Sequence, residues 1–322
     1  MKYYLSVLAG AMSYGILSTI VVLAYGQGYQ LGEVVGTQLI TGFILSWMLA
    51  LYTRFRAKRK AQAAGGQAKV ASASPTQVFT RLTWKQRLML MAAGTPTVIT
   101  GLVYYQSLRY IPASLAIILL FQFTWISVLI QAISKRQRPD KITFLTLFIL
   151  FGGTLLAAGF LEQGISKLSG LGIALGLMAA VSYSLFVLFS GKAVPSGHPA
   201  FRSAWMVTGG LILLCILFPP TFLFNGLIWS QLLIFGLLLG FFGAFIPPVL
   251  FAIGVPHIGG DMAGILGAVE LPVAVLLSSI VLHEHVSALQ WFGVVIVLIG
   301  VALPELYKMR ARRSRSTPVY SG

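Results

Sequence analysis

Charge is the scarcest property of this sequence. Of its 322 residues, 9% are Asp, Glu, Lys or Arg and 57% are hydrophobic. Soluble domains carry roughly 25% charged residues. With so few charges the chain has no means of covering a globular surface in water, and its outer solvent must be lipid. Acidic residues are fewest of all, seven against 23 basic ones. Six of them (Glu33, Asp140, Glu162, Asp261, Glu284, Glu305) fall in loops or at the ends of apolar runs, and only Glu270 lies well inside one. One carboxylate within the apolar runs is a poor start for acid–base catalysis, which wants paired groups. There is a single cysteine, Cys215, so no intrachain disulfide forms and cysteine usage says nothing of redox compartment. No Gly-x-x-x-x-Gly-Lys-Ser/Thr loop is present, which argues against an intrinsic ATP motor. The sequence points to no catalytic residue, no metal site and no cofactor. His283-Glu284-His285 has its histidines two apart, and such residues do not share a helical face as a zincin pair must. It reads as a polar turn, with Asp261 as a helix N-cap and His198 and His257 as loop residues.

The sequence has apolar length in abundance; its mean hydropathy is +0.87. Apolar runs fall at approximately 3–25, 32–53, 88–108, 112–134, 142–161, 168–190, 203–220, 229–252, 259–281 and 287–304. Each is near the ~20 residues that cross a ~30 Å hydrocarbon layer as a helix. The expected fold is an all-α membrane protein of about ten transmembrane helices. The first run is long enough to be a full span rather than a signal peptide. Pro96, Pro247-Pro248 and Pro272 interrupt apolar runs, either as packing kinks or as hinges. The segment 54–87 has no apolar period, is rich in Lys and Arg, and is expected to be a flexible basic loop.

The net charge of +16 does not imply nucleic acid, because the basic residues lie between and beyond the apolar runs. With the N-terminus in the cytoplasm, 21 of the 23 Lys and Arg fall on that side, leaving Arg109 and Lys167 opposite. The positive-inside rule therefore expects both termini in the cytoplasm of a multi-pass protein of the plasma or inner membrane.

The two halves match one another. At a fixed offset of 148, Ile117 meets Ile265, Phe144 meets Phe292, Leu150 meets Leu298, Gly152 meets Gly300 and Leu155 meets Leu303, while Gln122 meets Glu270. Ser13-Tyr14 also meets Ser182-Tyr183, and Thr41-Gly42 meets Thr208-Gly209, at other offsets. Five spans per half make the halves inverted repeats, a recurrent feature of secondary transporters. The expected divisions are 3–162, 168–304 and a basic tail over 305–322.

These residues resemble the drug/metabolite transporter superfamily, in particular its EamA-type members. Val269-Glu270-Leu271-Pro272 is similar to that family's Glu-Pro segment and His283-Glu284 to its Gly-Glu turn. Gln290 to Gly300 is similar to its last helix, and Tyr110 to Ala116 to its turn into the fourth span. His283 stands where the family has glycine, and the first-half counterparts of Glu284 and Pro272 are Arg136 and Thr124. The resemblance implies a central cavity built by the first, third and fourth helices of each half. That cavity would hold Ser13, Tyr14, Tyr105, Gln122, Trp125, Ser182, Tyr183 and Glu270. It also implies outward movement of small metabolites, amino-acid-like or drug-like. An uptake permease of the same fold, a membrane-embedded lipid-modifying enzyme, and a receptor or assembly subunit are the alternatives. The expected partners are a small-molecule substrate, the lipid bilayer and a second copy of the chain as a homodimer.

Overall fold

A chain surrounded by lipid must satisfy its backbone N–H and C=O groups internally, and continuous apolar runs do so as helices. The computed structural model describes residues 1–63, 82–135, 141–157, 169–190, 194, 198–258 and 266–316, and among these there are helices and turns but no strand. The helices are α1 (Lys2–Gly15), α2 (Leu17–Gly26), α3 (Leu31–Ala63), α4 (Trp84–Ser107), α5 (Ala113–Leu120), α6 (Phe123–Lys135), α7 (Lys141–Ala157), α8 (Gly170–Ser190), α9 (Pro199–Leu217), α10 (Leu232–Leu239), α11 (Ile246–Ile258), α12 (Glu270–Val281) and α13 (Ala288–Ser316). A π-helical stretch, Gly240–Phe245, joins α10 to α11. Among the described residues, five helices are long and apolar enough to cross a membrane: Lys2–Gly26, Leu31–Arg59, Trp84–Ser107, Ala200–Leu217 and Leu232–Phe251. Five shorter apolar helices accompany them.

Exposure is inverted relative to a soluble protein. Phe148 is 78% exposed and Ile216 72%, whereas Ser107, Ser184 and Ser278 are wholly buried. A contiguous apolar exterior of this kind fits lipid. The bundle is centred on α5, every residue of which is buried and which packs on α8 and α12.

Local sequence sets the helix ends. Thr83 and Gln86 form a reciprocal capping box that opens α4, and Ser287 and Gln290 repeat it at α13. Two expectations need correction. The basic loop is shorter than 54–87, because α3 continues to Ala63 and α4 starts at Trp84. Ala57-Lys58-Arg59-Lys60-Ala61 contains good helix formers and no breaker. Residues 64–81 lie outside the described residues. His257, expected in a loop, sits in the last turn of α11, stacked on Tyr3 at 3.7 Å.

Pro96 lies inside α4 and removes the N–H that would bond the carbonyl of Ala92. The Thr95 hydroxyl takes over that carbonyl at 2.8 Å, so the interruption is repaired locally. One turn of α4 beside it is packed against α9 without side chains: a Cβ on Gly94 would run into the Met206 carbonyl, and one on Gly209 into that of Met91. Small residues let membrane helices approach this closely.

Candidate functional site

Three distortions converge in the middle of the bundle. The first helix breaks at Ile16, between α1 and α2. The α5–α6 pair breaks at Phe121-Gln122, and a turn at Ala268-Val269 precedes α12. Gly15 lies against the third of these, since a Cβ there would meet the Glu270 carbonyl at 2.8 Å and the Val273 Cβ at 2.9 Å. The first helix can therefore reach the start of α12 only with glycine at position 15.

The α12 helix sets the direction of Glu270. Leu271, Ala274, Val275 and Ser278 are buried on one side, while Leu276 and Ile280 are exposed on the other. Glu270 lies on the edge of the buried side and is itself half-buried. Tyr14, Tyr104, Tyr105 and Tyr183 all lie within electrostatic range of it. Tyr104 and Tyr105 are adjacent on α4, with ring centroids 5.8 Å apart. Tyr14 and Tyr183 keep partial exposure within this setting, so the cluster borders open space. Ala274 and Ser278 of α12 are packed tightly, whereas a Cβ at Gly267 would meet none of the described residues within 4 Å.

The structure thus gathers Tyr14, Tyr105, Tyr183 and Glu270. The other four expected residues hold helices in place. Ser13 donates to the Phe242 carbonyl at 2.7 Å, bracing the π-helical stretch. Ser182 donates to the Pro96 carbonyl at 2.9 Å. Gln122 donates to the Ile118 carbonyl at 2.9 Å and to Thr154 Oγ1 at 2.7 Å, and its Oε1 accepts from Trp125 Nε1 at 2.8 Å. Its amide is therefore committed to the α5–α6 break, and Trp125 offers the site a ring face but no donor. Tyr183 packs edge-on to Phe123 at 4.6 Å.

Sequence reasoning passed over Ser18 and Gln38; Tyr104 stands out in the sequence as another polar-tipped aromatic in a span, but not among the eight cavity residues. Ser18 is one helical turn beyond Tyr14, a spacing that puts both on one face. Gln38 approaches Tyr105 from α3. The Ser18 and Tyr104 hydroxyls face one another, buried, with no well-formed hydrogen bond to any group.

A second polar assembly ties α12 to α5 at one end of the bundle. Leu282 and Glu284 both donate to the Ser278 carbonyl, and His283 between them has φ +55°. This turn aims the Glu284 carboxylate at the start of α5. Oε1 accepts from Ala113 N at 2.6 Å, and Oε2 accepts from Ser114 N at 3.1 Å and Ser114 Oγ at 2.7 Å. Pro112 precedes α5 and provides no side-chain cap, so Glu284 supplies it. Close by, Arg109 donates to Gln30 at 3.0 Å and lies 4.6 Å over the Tyr25 ring. Tyr25 in turn donates to the Tyr105 carbonyl at 3.1 Å.

A lipid-facing helical bundle with broken helices around one interior carboxylate defines a multi-pass membrane protein. Residues 170–304 match the profile of the EamA-like transporter family. The second half is therefore similar to that family over the stretch that contains Glu270-Leu271-Pro272 and His283-Glu284. The match leaves out the half in which Thr124 and Arg136 replace the family's proline and glutamate. An uncharacterized transporter of Synechocystis sp. (strain ATCC 27184 / PCC 6803 / Kazusa) is 26% identical over 208 residues, covering 64% of this chain and 62% of that protein. The chain thus spans less than two thirds of that relative. Among solved structures that share the fold is a protein crystal structure with a TM-score of 0.59 at 16% identity over 95% of this chain and 98% of the other.

Proposed function

We propose that this chain is a secondary transporter that moves small metabolites, amino-acid-like or drug-like, outward across the plasma or inner membrane by alternating access. The observation that carries this reading is the meeting of interrupted helices around Glu270 and its tyrosines. Discontinuous helices at a midplane site are how secondary transporters expose polar groups to a substrate without exposing them to lipid. Two inverted five-helix repeats, 3–162 and 168–304, account for the positions of the breaks. Shifted by 148, the Phe121-Gln122 break falls within one residue of Ala268-Val269, and the π-helical stretch falls on 92–97, around Pro96. Both termini are placed in the cytoplasm, with the basic tail over 305–322 and the basic segment after α3 on that side. The EamA-like profile over 170–304 and the Synechocystis relative support transport over lipid modification.

The test is reconstitution of the purified protein in liposomes and measurement of flux over a panel of amino acids, sugars and cationic drugs. At least one member should move, and overexpression in cells should lower its accumulation. Raised accumulation would reverse the direction. Conversion of a lipid substrate with no flux across the panel would replace the transporter with an enzyme. A reporter fused after Arg315 should behave as cytoplasmic.

A further inference from the structure

We propose that the space beside Glu270 takes a protonated primary or secondary amine on a hydrophobic body, with the ammonium N–H groups held by the Glu270 carboxylate and the hydroxyls of Tyr104 and Ser18. This names the substrate class of the proposed transporter and rests on that reading for the route by which the ligand arrives.

Charge gives the sign. Among the described residues, Glu270 is the one acidic group in the interior of the bundle, and no described cation offsets it there. Arg109 lies at one end and is occupied by Gln30 and Tyr25. Lys85, Arg87 and Arg202 lie at the opposite end, where α4 and α9 begin. An anion brought beside Glu270 would lose its hydration and gain a like charge. A cation would meet an opposite charge in a setting of low dielectric constant.

The unpartnered hydroxyls give the chemistry. Buried polar groups in folded proteins are nearly always hydrogen-bonded, to protein or to something bound. Tyr104 is 6% exposed and Ser18 is 3% exposed, and although the two hydroxyls face one another neither makes a well-formed hydrogen bond. Tyr104 faces Ser18, and Gly15, three residues before Ser18, lies against the Glu270 carbonyl, so the three groups lie in one region of the bundle. A carboxylate and two hydroxyl oxygens together accept three hydrogen bonds. An ammonium bearing N–H groups supplies them, whereas a quaternary ammonium supplies none. The partly exposed rings of Tyr14 and Tyr183 add aromatic faces suited to a cation. Among the described residues nothing would meet a Cβ at Gly267, the side on which the body of the molecule would lie.

The experiment measures binding of three probes with one shared body to the purified protein in nanodiscs: phenethylamine, phenethyltrimethylammonium and 3-phenylpropionate. Phenethylamine should bind tightest and the carboxylate weakest. E270Q should weaken the amine by about tenfold or more, the scale of a lost charged hydrogen bond. Y104F should weaken the amine but leave the trimethylammonium probe unchanged, a split that a general loosening of the fold would not produce. Should E270Q not fold, Y104F and E270D carry the test, E270D keeping the preference for amine over carboxylate. Equal binding of amine and carboxylate, no effect of Y104F on the amine, or no binding of any probe would overturn the proposal. Flux of the same probes into liposomes separates it from the transport reading. Binding of the amine without flux of any panel member refutes transport and leaves the site. Flux of a neutral solute that is unaffected by E270Q, without amine binding, refutes the site and leaves transport.

Discussion

Removing the carboxylate of Glu284 tests how the two halves are held together. Helix α5 is the most buried element of the bundle, yet it starts after a proline that brings no cap. Its first N–H groups are satisfied from another helix pair, by Glu284 through Ala113 N, Ser114 N and Ser114 Oγ. Loss of an N-cap side chain costs about 0.5–2 kcal/mol, and a hydrogen bond to a charged group contributes about 1.5–3 kcal/mol. The three contacts share one carboxylate and are not additive, so E284A should cost about 2–3 kcal/mol. E284Q keeps one acceptor oxygen and should cost about half of that. S114A loses the hydroxyl alone and should cost about 1 kcal/mol. Unfolding of the purified protein in mild detergent, followed by helical circular dichroism, measures all three. The double variant E284A/S114A should be less unstable than the sum of the single ones, because the second change removes a group already unpartnered. If E284A were within 0.5 kcal/mol of the parent, or if the two changes simply added, Glu284 would not be the cap of α5.

Three further outcomes follow from local geometry. His283 holds φ +55°, a conformation that costs an L-residue roughly 1 kcal/mol, so H283G should stabilise the same unfolding transition by about 0.5–1 kcal/mol and leave the Glu284 contact intact. A Cβ on Gly209 would run into the Met91 carbonyl, and G209V should cost roughly 3 kcal/mol or prevent folding, whereas G170A, with nothing within 4 Å, should be neutral or slightly stabilising in thermal inactivation assays. His198 caps α9 by accepting from Ala200 N at 3.3 Å, which requires an unprotonated Nδ1, and burial lowers its pKa below the usual 6.5. The unfolded chain therefore takes up this proton first, and the contribution is present above about pH 6.5 and lost as pH falls through the window beneath it. H198N, an acceptor that does not titrate, should flatten the stability profile below pH 6.5.

The helices were legible in the sequence because lipid enforces a simple rule of apolar length, and one of their breaks was legible because the Glu270-Leu271-Pro272 segment announces it, whereas Pro96 lies in an unbroken α4. The site was legible where a residue type is unusual for its surroundings. Glu270 stands out as a carboxylate in an apolar run, and Tyr14, Tyr105 and Tyr183 stand out as polar-tipped aromatics. Gln122 and Ser182 drew attention for the same reason, but their groups are bonded to Thr154 and to the Pro96 carbonyl. No spacing in the sequence tells a hydroxyl used for packing from one left without a partner. That distinction depends on which helix lies opposite, and it is α4 that brings Tyr104 to Ser18. The Glu284 cap was hidden for a related reason: a polar turn is visible locally, but its partner at Ala113 is 171 residues away in sequence.

Symmetry and chemistry divide the labour between the two proposed repeats. At the fixed offset, Gln122 stands opposite Glu270, and each sits at a break in an apolar helix. Such a break leaves backbone groups that must be satisfied inside the membrane. In the first half a neutral amide does this, bonding to Ile118, Thr154 and Trp125, and nothing of it is left over. In the second half the same place holds a carboxylate that costs more to bury, so it must face protein dipoles, water or a ligand. The tyrosines come to this second site from α1, α4 and α8, while the first site is closed by Thr154 from α7. On the proposed repeat the scaffold supplies two equivalent interruptions, and one change of side chain makes one of them a staple and leaves the other to the proposed cation.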